Sequence, residues 1–128
     1  MRRLFLICLL FACADPARAK DWRQAPEYDV LLTSYDIEPE AIHLKAGEPV
    51  RLRFVNPSNQ SHDFSAKGFF RSARMRGQDA DMVRDGTLLV GPLSTRTIVL
   101  VPKPGRYGVG SRNLVRRLLG FKGAIVVE

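Results

Sequence analysis

The chain has 128 residues, of which 45% are hydrophobic and 26% charged. This length and composition suit one globular domain and exclude a largely disordered chain or a multi-span membrane protein. Twenty basic residues against 13 acidic ones give a formal net charge of +7. Such a balance favours anionic partners without defining their chemical class.

The N-terminal segment has the order of a secretory signal. A basic start is followed by an apolar run over residues 4–12 and by small residues at Ala17 and Ala19. The run is about half the roughly 20 residues that span a bilayer, so we expect no transmembrane segment in the mature chain. We predict cleavage after Ala19 and export, with the bacterial periplasm as the location. Residues 10–13 also resemble a lipobox, which leaves a lipid anchor at Cys13 as the alternative.

Export has two consequences for the mature chain. Cleavage removes three arginines and one aspartate, which leaves 17 basic and 12 acidic residues and a net charge of +5. It also removes Cys8 and Cys13, the only cysteines. The mature chain must therefore be stabilised by its core rather than by disulfides, and it has no thiol chemistry.

The remaining sequence is a series of short apolar or alternating runs separated by turn residues. Period-2 alternation predicts half-buried strands at 42–45 and 50–55. Further strands are predicted at 29–35, 62–64, 87–90, 96–101, 107–110 and 124–127. Residues 68–85 break the pattern and are predicted to form an irregular or partly helical insert. Seven or eight short strands predict an all-β protein with a single antiparallel β-sandwich.

Four segments, in order, resemble the cupredoxins, the small blue-copper proteins. The run 45–56 resembles their third-strand region, and 62–64 resembles the segment with their first histidine ligand. Residues 104–107 resemble the turn before their ligand loop, and 120–127 resemble their closing strand. The resemblance implies a cupredoxin-like Greek-key fold over 29–128, after a signal peptide at 1–19 and an N-terminal arm at 20–28.

The same resemblance implies that most copper ligands are missing. Blue-copper sites use two imidazoles, one thiolate and a weak axial methionine. Counted from Tyr107, the cysteine, histidine and methionine positions fall on Ser111, Arg116 and Phe121, and only His62 remains. A guanidinium offers no lone pair, and the mature chain has no cysteine. We therefore expect no type 1 centre and no resident cofactor, while copper in another kind of site remains possible.

Two interpretations of His62 remain open. In the first, His62 is structural and donates to a backbone carbonyl, Phe121 fills the axial space and Ser111 hydrogen-bonds locally. In the second, His62 binds Cu(I) with the thioethers of Met75 and Met82, whose seven-residue spacing would put both on one helical face.

Two clusters of basic residues could together form an anion-binding surface. The predicted ligand loop carries Arg112, Arg116, Arg117 and Lys122, and the insert carries Lys67, Arg71, Arg74 and Arg76. If the insert folds towards the loop, up to eight charges form one patch that attracts acidic groups and suits arginine recognition of carboxylates or phosphates. The alternative is that these are solvated surface charges.

These observations favour a non-catalytic role. No Ser-His-Asp pattern, paired-histidine motif or phosphate loop is present, and an exported protein meets little nucleic acid. We predict an accessory module of the cell envelope that binds an acidic protein or anionic group through the Arg-rich loop end. The alternative is a periplasmic copper-handling protein that uses His62 with the two methionines or with a partner's ligands.

Overall fold

The computed structural model describes residues 22–34, 36–111 and 123–128. Within them, a 3-10 turn at Trp22–Gln24 precedes eleven strands and two short helices. The strands are β1 Glu27–Leu32, β2 Ile37–Glu38, β3 Ala41–Leu44, β4 Val50–Asn56, β5 His62–Ser65, β6 Arg74–Met75, β7 Val83–Arg84, β8 Thr87–Val90, β9 Ser94–Val101, β10 Gly105–Val109 and β11 Gly123–Val127. The helices are α1 Lys67–Ser72 and α2 Gly77–Ala80. The predicted all-β class is confirmed, and the two-residue strands β2, β6 and β7 account for the larger strand number.

The strands form two layers. One is a five-stranded sheet in the order β2-β1-β4-β9-β6. The other consists of two three-stranded sheets, β10-β11-β3 and β5-β8-β7. A bridge between Ser65 and Gly110 joins these two sheets, with backbone hydrogen bonds of 3.0 and 2.9 Å. The result is the predicted β-sandwich.

Two strand pairs differ from the antiparallel expectation. β1 pairs with β4 in parallel, and β11 pairs with β3 in parallel. Parallel neighbours need a crossover between them. Here the chain leaves the five-stranded sheet after β2, forms β3 in the other layer, and returns as β4 beside β1.

The alternation in β4 places its side chains as the sequence predicts. Val50, Leu52 and Phe54 are buried, while Arg51 and Arg53 are only partly covered. Each fully buried apolar side chain contributes roughly 2 kcal/mol to folding. The same phase carries Asn56 into the interior, where it is 1% exposed.

A row of aromatic rings connects the sandwich to the insert. The ring of Phe54 lies 4.7 Å from that of Phe64 on β5, which in turn lies 6.0 Å from Phe70 on α1. Phe69 of the same helix contacts Tyr107 on β10 at 5.6 Å between centroids. Edge-on ring pairs add packing energy beyond their buried area, so α1 is held against both layers.

The insert predicted at 68–85 is partly helical as expected, and in the structure it extends over residues 67–86. It leaves β5 at Ser65, and its strand β6 pairs with Val101 and Leu100 of β9. Leu100 pairs with Val50, the first residue of β4. We call this end of the sandwich the insert end.

An ion pair between the partly exposed Arg76 and the buried Asp79 fixes α2 to the sheet. Asp79 is 2% exposed, and its Oδ2 accepts a 2.6 Å hydrogen bond from Nε of Arg76. The same oxygen accepts from the backbone N–H of Val99 at 3.4 Å. Because β6 pairs only with Val101 and Leu100, Asp79 provides the next acceptor along β9.

We predict that Asp79→Ala lowers the free energy of unfolding by about 3 kcal/mol, because it leaves Arg76 and the Val99 N–H without their buried acceptor. Urea denaturation of the purified domain measures the change. Asp81→Ala is the matched control, since Asp81 is exposed and its replacement should cost less than about 0.5 kcal/mol. Equal losses in the two variants would contradict the role of Asp79.

Candidate functional site

The site candidate lies at the end of the sandwich opposite the insert. There β4 ends at Asn56, β5 begins at His62, and β8 ends at Val90, which pairs with His62. We call this the His62 end. The Asn56 amide links the end of β4 to the neighbouring segments. Its Nδ2 donates to the carbonyl oxygens of Gln60, Val90 and Gly91 at 2.7, 3.1 and 2.9 Å.

Ser58 connects Asn56 to the imidazole of His62. Its Oγ lies 2.8 Å from His62 Nε2, 2.8 Å from Asn56 Oδ1 and 2.9 Å from the Gln60 carbonyl oxygen. The two carbonyl oxygens can only accept, so they take up the single hydroxyl hydrogen. This network favours a His62 ring that donates from Nε2 and keeps its lone pair on Nδ1, an atom buried from solvent. The contact seen is therefore with a side-chain hydroxyl, whereas the structural interpretation expected a backbone carbonyl.

The neighbouring Asp63 fixes the start of the predicted ligand loop. Ser111 is 4% exposed, and its hydroxyl donates to Asp63 Oδ1 at 2.5 Å. The partners are 48 residues apart, so the bond is not local in sequence. The Ser65–Gly110 bridge places Ser111 beside β5, where its side chain contacts Asp63.

The other loop residues predicted from the resemblance lie outside the described residues. They are Arg112, Arg116, Arg117, Phe121 and Lys122. The described residues on either side of this segment are Ser111 and Gly123. Gly123 pairs with Val109, the end of β10 nearer to His62.

The expectation that Met75 and Met82 share one helical face is wrong. Met75 is in β6, and Met82 lies in the turn before β7, with the single-turn helix α2 between them. Met75 pairs with Leu100 at the insert end, about 20 Å along β4 and β9 from Asn56. Met82 is separated from β5 by the width of two strand spacings, about 10 Å. The fold does not bring Met75 to His62.

The basic insert also lies away from His62. It follows β5 after Ser65, at the other end of that strand from His62. Because the loop cations lie outside the described residues, the single patch of eight charges stays a prediction. Two of its cations have acidic partners from later in the insert: Arg76 binds Asp79, and Lys67 lies 3.8 Å from Asp85. Arg71 and Arg74 are exposed and have no acidic partner among the residues the structure describes.

The residues present do not fit a type 1 copper centre. Within 22–34, 36–111 and 123–128, no three His, Cys, Asp or Glu side chains form a group that could hold a metal ion. At the cysteine position given by the resemblance stands a hydroxyl already bonded to Asp63, and no cysteine occurs after Cys13. Copper(I) sites depend on soft sulfur donors, which this end lacks among the described side chains.

A family model described as a cupredoxin-like domain matches residues 3–127. The chain belongs to this family. No curated protein matches the sequence. The family assignment agrees with the resemblance of segments 45–56, 62–64, 104–107 and 120–127.

Solved structures share the cupredoxin-like fold at low sequence identity. Auracyanin A, a blue copper protein from Chloroflexus aurantiacus, is 15% identical with a TM-score of 0.56, over 81% of this chain and all of that one. The metal-binding domain of the Cu(I)-exporting ATPase CopA from Streptococcus pneumoniae, solved with Cu(I), is 16% identical with a TM-score of 0.51, over 82% and 88%. The multicopper oxidase McoA from Aquifex aeolicus is 15% identical with a TM-score of 0.65, over 84% of this chain and 30% of the oxidase. These similarities establish the fold alone.

Sequence reasoning missed the polar residues that support the site. Asn56 follows Phe54 in the buried phase of β4, so period 2 contained a signal for a buried amide. The resemblance had pointed to Ser111, but its pairing with Asp63 carries no sequence signal, because it depends on how β10 meets β5. Among the described residues no helix has the length and apolar character needed to cross a membrane.

We predict that the Ser111–Asp63 hydrogen bond stabilises the fold. Ser111→Ala should lower the free energy of unfolding by about 2 kcal/mol, because a buried carboxylate loses its donor. Ser61→Ala, at an exposed position, is the control with an expected change below about 0.5 kcal/mol. In a double-mutant cycle with Asp63→Ala, the coupling energy should be about 1–2 kcal/mol. Strictly additive effects would contradict the pairing.

Proposed function

We propose that this cupredoxin-like domain is an exported, non-catalytic binding module without a type 1 copper centre. The observation that carries the proposal is Ser111, which stands at the thiolate position of the resemblance, is buried, and donates to Asp63. A hydroxyl is a poor ligand for copper, and here it joins Ser111, the last described residue before 112–122, to Asp63 of β5. In this proposal the binding residues belong to the segment 112–122, which follows Ser111 in the sequence.

The charge of that loop supports an acidic partner. Residues 112–122 contain four basic residues and no acidic one. Arginine forks recognise carboxylates and phosphates, and a positive field raises the rate of encounter with anionic surfaces. The proposed partner is an acidic protein or anionic group of the cell envelope.

The location follows from the N-terminal sequence. We propose a signal peptide over 1–19, an N-terminal arm over 20–28 and the binding domain over 29–128, with the periplasm as the compartment. In the described fold, β1 begins at Glu27, so the arm ends by joining the five-stranded sheet. Lipidation at Cys13 is the alternative way to hold the module at the envelope.

The test reverses the loop charges. In the mature protein, Arg112→Glu/Arg116→Glu/Arg117→Glu should weaken binding to polyglutamate, a probe for acidic proteins, by about tenfold or more at low salt. Vesicles with anionic lipid provide the second arm, which tests an anionic group of the membrane. Isothermal titration measures the first arm and co-sedimentation the second.

The matched control for that test is Arg74→Glu/Arg96→Glu/Arg106→Glu. These arginines are exposed on the described surface, and the control changes the net charge by the same amount. If binding weakens equally in both triple variants, the loss comes from the change in net charge and not from the loop arginines. Unchanged binding in the loop variant would overturn the proposal.

A second candidate function is copper handling through His62, and the Ser58 contact favours it. Histidine ligands of metals generally donate their other ring N–H to a polar group, which fixes the ring. Ser58 occupies that place at 2.8 Å from Nε2, and the network favours a lone pair on the buried Nδ1. Because Met75 lies at the insert end, the further ligands in this proposal belong to a partner protein.

Copper titration separates the two candidates. We expect the mature protein to retain no stoichiometric copper when it is titrated anaerobically with Cu(I) or Cu(II), desalted and analysed for metal, because one imidazole alone binds weakly. Retention abolished by His62→Ala but not by His43→Ala, which alters an exposed histidine on β3, would favour copper handling. Ser111→Cys/Arg116→His/Phe121→Met restores the ligand types of the resemblance and is the positive control, recognised by copper–thiolate absorption.

A further inference from the structure

A cleft of about 280 Å³ opens at the insert end. Its lining includes Lys67, Phe70, Arg71, Met75, Val83 and Asp85. Apolar groups from α1, β6 and β7 form the interior, and charged groups of α1 stand at the same opening. A ligand for this cleft therefore combines apolar and anionic character.

The cleft lies between the outermost strands of two sheets. Met75 belongs to β6, at the end of the five-stranded order, and Val83 belongs to β7, at the end of the β5-β8-β7 order. An outermost strand can pair with an added extended segment, whose alternate side chains then enter neighbouring pockets. The position of the cleft suits an extended peptide.

The charges at the opening are available to an anion. Arg71 is exposed and has no acidic partner among the described side chains. Lys67 lies 3.8 Å from Asp85, and the two side chains are 59% and 68% exposed. Exposed pairs of this kind are weak, so a partner's carboxylate can compete for Lys67.

The walls are preformed. Phe70 is 3% exposed, and its ring lies 5.4 Å from that of Phe69 in the core. Gly86 has φ +70°, and a Cβ there would lie 2.6 Å from the Cα of Lys67. Its carbonyl accepts from Ala66 N–H at 2.9 Å, so the start of α1 is fixed against this turn. A preformed site loses less entropy when it binds.

We propose that this cleft binds an extended acidic segment of a partner protein. One apolar side chain enters between Phe70, Met75 and Val83, and an adjacent carboxylate pairs with Arg71 and Lys67. The volume lies just below the range of small-molecule sites, which suits one or two side chains rather than a whole cofactor. The proposed binding residues of the cleft are different from those of the loop in the proposed function.

The test uses a capped heptapeptide of alternating leucine and aspartate, titrated into ¹⁵N-labelled mature protein. We expect amide shifts that concentrate at 67–86. Two analogues are compared with it. Replacing the aspartates by asparagine removes the charge, and replacing the leucines by serine removes the apolar side chains. Each analogue should bind about tenfold more weakly. Equal binding of either analogue would overturn the proposal, as would the absence of shifts in the cleft.

Substitutions locate the interaction. Arg71→Glu should weaken peptide binding by about tenfold, whereas Arg74→Glu, which makes the same charge change outside the cleft, should weaken it less than about twofold. If Arg71→Glu and Arg74→Glu weaken binding equally, the peptide responds to the net charge of the protein and not to the cleft, which would overturn the proposal. If Arg71→Glu unfolds, Arg71→Gln repeats the test. Octanoate that binds as tightly as the peptide would assign the cleft to a small amphiphile and overturn the peptide proposal.

These outcomes are independent of the proposed function. The loop substitutions at 112, 116 and 117 should leave the heptapeptide affinity unchanged to within about twofold, since none of these residues is among those that line the cleft. A failed heptapeptide titration with intact loop binding rejects only the cleft. Intact heptapeptide binding with no loop effect rejects only the proposed function.

Discussion

The His62 end depends on one buried amide. Asn56 is taken into the interior by the alternation of β4, and a buried amide must find partners or destabilise the fold. Its Nδ2 reaches carbonyl oxygens at the end of β8 and in the loop before β5, while Oδ1 accepts from the backbone N–H and hydroxyl of Ser58. One side chain thereby joins the five-stranded sheet to the opposite layer.

The consequences of this amide extend through Ser58. The Ser58 hydroxyl contacts His62, and its carbonyl accepts from the N–H of Leu93 at 2.8 Å. Leu93 has φ +51°, a strained conformation for a leucine, and its side chain is 75% exposed. The position of the imidazole and the shape of the neighbouring turn therefore depend on the same short loop. At the insert end, the carboxylate of Asp79 plays the corresponding part by holding α2 to β9.

The sequence predicts the strands well where period 2 is visible. In β3 and β4 the alternation is regular, and the structure has the same buried phase, including Ile42 and Phe54. The parallel pairing of β1 with β4 is not visible there, because it follows from a crossover through the other layer. The short strands β6 and β7 were missed because two residues show no periodicity.

The candidate site was only partly predictable. The resemblance pointed to His62 and Ser111, and the structure describes both near the same end. The contacts that hold them come from distant parts of the chain, as in Ser111 with Asp63, or from a buried polar residue such as Asn56. The seven-residue spacing of Met75 and Met82 predicted a shared helical face. Such a spacing brings two side chains together only on a continuous helix, and α2 has one turn. Charge counting did not predict the ion pairs of the insert, in which Asp79 and Asp85 fold back onto Arg76 and Lys67.

The opposite placement of His62 and the insert has a consequence for assembly. β4 and β9 are paired over seven residues and separate the two ends by about 20 Å. Two ligands at that separation share no contact residues and do not exclude each other. A domain that binds one partner at His62 and another at the insert cleft would be bivalent, so a partner held at one end would raise the effective concentration of a tethered second partner at the other, with no change of conformation between them.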